Sequence, residues 1–322
     1  MIRRRLLVSL LPLAGAVLLH RVRADEKKIF RVGLLWNSPH PKMYDDLFIG
    51  AMGTLGYREG YNLQFEYGFG PPRELPMLAK RLVRANVDLI HCGSSAAVRA
   101  ATGATHTIPV LAVDLETDPV ASGLASSLAH PGGNLTGFFL DLPEFSAKRL
   151  EVLKEALPHL SRVAVLWDPS LERAPLHGLE TAARALKLRV LVSDVRDETA
   201  LDTVFKGAVE QEAGAVMVMQ SPRFDAYKDH ILKLATKYHV PLMAMFANFT
   251  VDGGLLNYGP NVEDLTSRSA VYADKILKGA NPGDLPIQRP TKFDLVVNLK
   301  TAKALGITVP ESILLRADEV IR

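Results

Sequence analysis

Cysteine, tryptophan and net charge are all scarce in this chain of 322 residues. Cys92 is the only cysteine, so an intramolecular disulfide is excluded. The formal net charge is +3, and five of the arginines lie before residue 24, so the rest of the chain is close to neutral. A nucleic-acid-binding surface needs clustered Lys and Arg, and we therefore expect no nucleic acid partner.

Sequence motifs for catalysis are missing as well. The chain has no Gly-x-Ser-x-Gly elbow, no Gly-x-Gly-x-x-Gly turn after its first strands, and no His, Cys or Glu cluster with metal-ligand spacing. The histidines at His40, His91, His106 and His130 are scattered. We therefore expect no enzyme, no metal and no cofactor.

The N-terminus has the layout of a secretory signal. Three arginines from Arg3 precede an apolar stretch at Leu6–Leu19, and small residues lead to Ala24. This predicts a signal peptide over residues 1–24, cleavage after Ala24 and a periplasmic protein. The alternative is an uncleaved anchor, but the apolar stretch is short for a hydrocarbon core of about 30 Å. Arg3-Arg4 also loosely resembles a twin-arginine signal, so the export route stays open.

The remaining residues contain an internal repeat. RVGLLWNSP at Arg31 matches RVAVLWDPS at Arg162, and DLIHCGSS at Asp88 matches AVMVMQSP at Ala215 in the same order. Apolar runs alternate with amphipathic stretches in both halves, which is typical of parallel sheets with helical crossovers. The sequence therefore predicts an α/β protein with two Rossmann-like, doubly wound parallel-sheet lobes.

Residues at the predicted strand ends form the candidate binding site. In open α/β sheets a ligand binds beyond the carboxyl ends of the strands. Small, polar and aromatic residues occupy these ends in both halves, and they would converge on one cleft if the lobes face each other. The candidates are Trp36, Asn37, Ser38, Ser94, Ser95, Asp114, Thr136, Phe138, Trp167, Asp168, Gln220, Phe246 and Tyr258.

The serine and tryptophan candidates each have a structural alternative. Ser94 and Ser95 open a predicted helix, where they would either attract a carboxylate or simply cap the helix. The two tryptophans would either clamp an apolar ligand or pack in the core. Asp114 and Asp168 would meet a ligand ammonium group.

The motifs also carry a family resemblance. PGGNLTGF at Pro131, GGLLNYGP at Gly253 and the long segment from Asp284 to Ile321 resemble ABC-transporter substrate-binding proteins that include members assigned to tryptophan and tyrosine uptake. That family resembles type I periplasmic binding proteins, in which a hinge joins two lobes. The resemblance implies lobes at 28–140 plus 257–289 and at 141–256 plus 290–322. The chain departs from many relatives at Trp36-Asn37, where they have small residues.

The resemblance implies a solute-binding function. We expect the cleft to bind a small solute such as an amino acid or a related carboxylate, and an aromatic side chain is one option. The protein would present this solute to an ABC permease in the inner membrane. The alternative is an exported sensor of the same fold that reports to a membrane receptor.

Overall fold

The computed structural model describes residues 28–37, 42–113, 119–139, 143–171 and 173–322. Within these ranges the strands form two sheets, one of five strands and one of seven. We call the five-stranded sheet with its helices the first lobe and the seven-stranded sheet with its helices the second lobe. The predicted signal peptide, Ser38 and Asp114 lie outside the described residues. None of the helices in the described ranges combines the length and apolar character that a membrane span needs.

Strands and helices alternate through the first part of the chain, as the apolar pattern predicts. The first sheet has the order β2-β1-β3-β4-β5, and all its ladders are parallel. The elements are β1 (Phe30–Trp36), α1 (Lys42–Thr54), β2 (Leu63–Phe69), α2 (Leu75–Arg84), β3 (Leu89–Cys92), α3 (Ser95–Ala104), β4 (Val110–Ala112) and β5 (Leu135–Gly137).

The same alternation continues in the second part. Short 3₁₀ helices at Pro72–Glu74, Glu198–Ala200 and Pro282–Asp284 complete the described elements. The elements are α4 (Pro143–Ala156), β6 (Arg162–Trp167), α5 (Ala174–Ala185), β7 (Arg189–Asp194), α6 (Leu201–Glu210), β8 (Ala215–Val218), α7 (Pro222–Ala226), α8 (Lys228–Lys237), β9 (Leu242–Ala244), α9 (Ala247–Val251), β10 (Leu256–Pro260), α10 (Val262–Leu277), β11 (Phe293–Asn298), α11 (Leu299–Ala304), α12 (Glu311–Leu314) and β12 (Glu319–Ile321).

The two sheets share one topology, which explains the sequence repeat. The second sheet has the order β12-β11-β10-β9-β8-β6-β7, so its β7-β6-β8-β9-β10 part reproduces the strand order of the first sheet. The repeated segments at Arg31 and Arg162 form β1 and β6, the second strand from the edge in each sheet. The predicted fold class, two doubly wound α/β lobes, is confirmed.

One ladder departs from the parallel prediction. Strand β11 pairs antiparallel with β10, while β12 pairs parallel with β11. The direction reverses because the chain leaves the second sheet after β10, forms α10 on the first lobe, and re-enters the sheet at the end it left, where Phe293 pairs with Pro260. Residues 257–260, which the sequence division places with the first lobe, pair within the second sheet. The other lobe boundaries stay a prediction.

Both sheets are covered by helices on both faces. Along β1, Leu34 and Trp36 pack in a cluster with residues of α1 and α10, while Leu35 packs in a cluster with α2 and α3. Strand side chains alternate between faces, so a strand buried on both faces must be apolar throughout. This is the physical reason for the continuous apolar runs that mark the strands in the sequence.

Adjacent crossing segments join the lobes. Phe138, just after β5, forms a parallel bridge with Gln288, and the Asn261 N–H donates to Lys292 O over 3.0 Å. Arg268 of α10 lies over the Phe138 ring at 5.2 Å and donates to Gln288 and to Thr291 Oγ1. Backbone hydrogen bonds and the Arg268 side chain therefore tie the crossings to one another.

Asn261 lies where one of the crossing segments enters α10, and its side chain contacts both lobes. Its Oδ1 accepts from the Asp264 N–H at the start of α10 over 2.7 Å, and its Nδ2 donates to both Asp294 oxygens of β11. We expect Asn261→Ala to lower the free energy of unfolding by about 1–2 kcal/mol in urea denaturation, since a lost N-cap costs about that much. Asn281→Ala removes an exposed cap within one lobe and should cost less. Equal losses in the two variants would contradict the role of Asn261.

Candidate functional site

Trp36 lies at the carboxyl end of β1, against the turn between β3 and α3. A Cβ on Gly93 would overlap Trp36 at Cδ2, Cε3 and Cζ3, so the glycine backbone lies directly on the six-membered ring. The residue is 7% exposed. A side chain at residue 93 would occupy the space that the indole fills, so this position requires glycine for steric reasons.

An aromatic run connects Trp36 to the second lobe. The Trp36 and Tyr44 rings stack with centroids 5.7 Å apart, and Tyr44 meets the edge of Phe246 at 6.1 Å. Phe246 follows β9 and belongs to the same hydrophobic cluster as Trp36 and Phe138. The carboxyl ends of β1 and β9 therefore meet across the lobes, as the sequence predicts for the two halves.

The other first-lobe candidates make structural contacts. Ser94 caps α3, where its Oγ accepts from the Ala97 N–H over 3.2 Å, and Ser95 begins the helix. Thr136 is buried and donates to Leu285 O over 2.7 Å, while Phe138 packs on Tyr272 at 5.3 Å. Asn37 is half-buried at the end of β1. The capping alternative thus describes Ser94 in this conformation.

Asp168 forms a hydrogen-bonded turn within the second lobe. Its Oδ1 accepts from the N–H and the Oγ of Ser170, and its Oδ2 accepts from Ser221 Oγ over 2.7 Å. Arg223 Nε lies 3.3 Å from the same Oδ2. These contacts leave the carboxylate well satisfied by its own lobe, and its predicted contact with a ligand ammonium group stays a prediction.

The remaining second-lobe candidates make contacts within their own lobe. Trp167 is 2% exposed and packs in the core between the sheet and α4 and α5. Gln220 is half-buried and lies 3.5 Å from Asp225, and Tyr258 stacks on Phe293 at 5.7 Å. The structure thus brings Trp36, Phe138 and Phe246 into one cluster and assigns Trp167 to core packing. Which of these residues contact a ligand stays a prediction.

The acidic and histidine side chains of the described residues form no metal-binding group. Among the described residues, no group of three or more His, Cys, Asp or Glu side chains could hold an ion. His91 is buried against Phe48, with ring centroids 4.1 Å apart, and burial lowers its pKa to about 3. His91 Nε2 lies 2.9 Å from Ser269 Oγ. This histidine is therefore a neutral core residue at physiological pH.

A family model described as ABC transporter substrate binding protein matches residues 39–321. The chain belongs to this family. Its members bind solutes and are not enzymes, which agrees with the absence of catalytic motifs in the sequence.

Individual relatives support the same assignment. A tyrosine-binding protein of Clostridioides difficile is 25% identical over 297 residues, covering 88% of this chain and 83% of the relative. A complex of an ABC domain with L-Trp from Streptococcus pneumoniae has a TM-score of 0.81 at 22% identity, covering 91% of this chain and 100% of that chain. The ligand-free, open structure of a substrate-binding protein with adhesive properties from Clostridium difficile has a TM-score of 0.65 at 23% identity, covering 91% and 99%.

Several residues of this family member were missed by sequence reasoning. Tyr44 and Asp45 lie in the first turns of α1, and Arg149 is 1% exposed on α4, where it donates to Ser146 Oγ over 2.9 Å. Charged residues on an amphipathic helix ordinarily face water, so nothing local in the sequence distinguishes a buried Arg or Asp.

Asp45 carries the clearest electrostatic perturbation near the aromatic run. It is 2% exposed, and burial, with a smaller contribution from the Asp46 charge, raises its pKa to about 7. The folded protein therefore holds this proton more strongly than the unfolded chain does, whose aspartate titrates near pH 4.

The Gly93 contact predicts a specific steric effect. Gly93→Ala should lower the free energy of unfolding by about 1–3 kcal/mol, because a Cβ forces the Trp36 ring to move. Gly103→Ala in α3 is the matched control, since a Cβ there meets no atom within 4 Å among the described residues. The control should be neutral or stabilising by about 0.5–1 kcal/mol. Equal stability of the two variants in denaturant titrations would contradict the contact.

The Asp45 shift predicts a pH dependence of stability. Because the folded pKa is raised, the contribution of Asp45 is most favourable at low pH and is lost as the pH rises through about 7. Asp45→Asn should therefore raise the melting temperature at pH 8 by more than it does at pH 5. Asp46→Asn removes only the smaller, charge–charge contribution and should raise the melting temperature at pH 8 by less than Asp45→Asn does. A larger gain at pH 5 than at pH 8 would refute the shift.

Proposed function

We propose that the protein is the periplasmic solute-binding component of an ABC importer and binds an amino acid, or a related carboxylate, with an apolar or aromatic side chain. The aromatic run from Trp36 through Tyr44 to Phe246 carries this proposal, because it joins the carboxyl ends of strands in both lobes. Apolar rings at such an edge match an apolar side chain better than a sugar or a phosphate ester.

The relatives support the ligand class. One is named a tyrosine-binding protein, and another was solved in complex with L-Trp. A carboxylate-bearing ligand also agrees with the turn at Gly93, which leads into α3, because a helix N-terminus favours negative charge. The solute would pass to an ABC permease in the inner membrane, and the N-terminal segment would direct export with cleavage after Ala24.

Closure of the lobes is part of the proposal. Two relatives of nearly equal identity, 22% and 23%, differ in their likeness to this chain, with TM-scores of 0.81 for the L-Trp complex and 0.65 for the open, ligand-free structure. The higher score supports a lobe arrangement like that of the complex. Contacts between Tyr44 and Phe246 in this arrangement would break when the lobes open.

The test uses the chain from Asp25 and a panel of free amino acids. Calorimetry with L-leucine, L-phenylalanine, L-tyrosine and L-tryptophan should show saturable binding of at least one, with glucose as the negative control. Small-angle scattering should show a smaller radius of gyration with the bound amino acid at saturation. Binding of glucose alone would contradict the ligand class. Binding without compaction would contradict the hinge.

A further inference from the structure

The packing of Trp36 determines how much of its ring surface a ligand could contact. Gly93 covers the six-membered part of the ring, and the stacked Tyr44 lies 5.7 Å away. With only 7% of the residue exposed, the ring does not present an open face on which a ligand ring would stack. Trp36 thus contributes mainly its volume to the site, and the run that it begins continues the apolar surface through Tyr44 to Phe246.

The indole N–H makes no use of its hydrogen-bonding capacity. Trp36 Nε1 is buried and has no hydrogen-bond partner within the described part of the chain. An unsatisfied buried donor is unfavourable, so the indole does not hold this position through polar contacts. What it contributes is its volume and its apolar surface.

The indole of Trp36 lies where it would limit the space for a ligand. Trp36 lies on the Gly93 turn, directly before Ser94, the cap of α3, and the aromatic run leads from it to Phe246 of the opposite lobe. A ligand held between the carboxyl ends of the two sheets must therefore share this space with the indole.

We infer that Trp36 is the residue that sets ligand size: it fills the first-lobe side of the site and restricts binding to amino acids with side chains smaller than an indole. This inference rests on the proposed amino-acid-binding function. It narrows the ligand class from apolar and aromatic amino acids in general to aliphatic or single-ring ones, with L-leucine and L-phenylalanine as probes.

The main experiment compares the ratio of two dissociation constants. In the wild-type chain, L-leucine or L-phenylalanine should bind more tightly than L-tryptophan. Trp36→Ala removes the ring and should shift the ratio in favour of L-tryptophan by tenfold or more, because burying a ring-sized apolar surface is worth at least that factor. An unchanged ratio, or a wild-type preference for L-tryptophan, would overturn the inference.

Two further variants guard against general damage to the fold. Trp36→Phe retains a ring on Gly93, removes the unsatisfied N–H, and should shift the ratio in the same direction by a smaller factor. Phe205→Leu alters a ring buried in the second-lobe core, away from every candidate site residue, and should leave the ratio unchanged. If Trp36→Ala does not fold, the Trp36→Phe ratio decides the question, and its equality with the wild type would refute the inference.

Free indole separates this inference from the proposed function. Removal of the Trp36 ring leaves a space beside Gly93 and Tyr44 that apolar molecules of the same shape fill. Millimolar indole should raise the melting temperature of Trp36→Ala and leave that of the wild type unchanged. If no amino acid binds the wild type, the proposed ligand class is wrong. The indole experiment still shows whether loss of the Trp36 ring leaves a cavity that a ligand of the same shape can fill. Failure of indole to stabilise the variant would count against the inference itself.

Discussion

The segments that cross between the two lobes lie side by side. They place the carboxyl ends of the strands of one sheet near those of the other. Phe138 pairs with Gln288, and Asn261 pairs with Lys292, so neighbouring crossings are hydrogen-bonded to each other. Arg268 adds its guanidinium over the Phe138 ring and donates to Gln288. These bonds join the crossings into one strip, beside which Tyr44 of the first lobe contacts Phe246 of the second.

The turn at Gly93 determines which surface the first lobe presents where the two lobes meet. Because Gly93 has no side chain, the Trp36 ring lies on its backbone and extends the apolar surface to Tyr44 and Phe246. The second lobe differs, since the carboxylate of Asp168 is satisfied by its own neighbours Ser170 and Ser221. The two lobes share a topology, and their strand ends nevertheless contribute different surfaces.

Burial also shifts the pKa values of two ionisable groups near these surfaces. Desolvation raises the pKa of Asp45 and lowers the pKa of His91, and both shifts favour the neutral form. The first-lobe side of the junction is therefore less charged than its residue types imply. These surroundings favour the proposed ligand with an apolar side chain over a sugar or a phosphate, which need many polar partners.

The sequence by itself determined the fold class and the repeat, because strands buried on both faces require continuous apolar runs, and these runs recur in the same order at β1 and β6. It also located the strand ends, since polar or small residues follow each run. Only the tertiary structure decided that Trp36 joins an aromatic run that reaches the opposite lobe through Tyr44 and Phe246, while Trp167, at the matching place, packs in the core. The same holds for the reversed strand β11 and the buried Asp45 and Arg149. Local patterns record which face of an element is apolar, but contacts between distant segments depend on how the crossings place one lobe against the other.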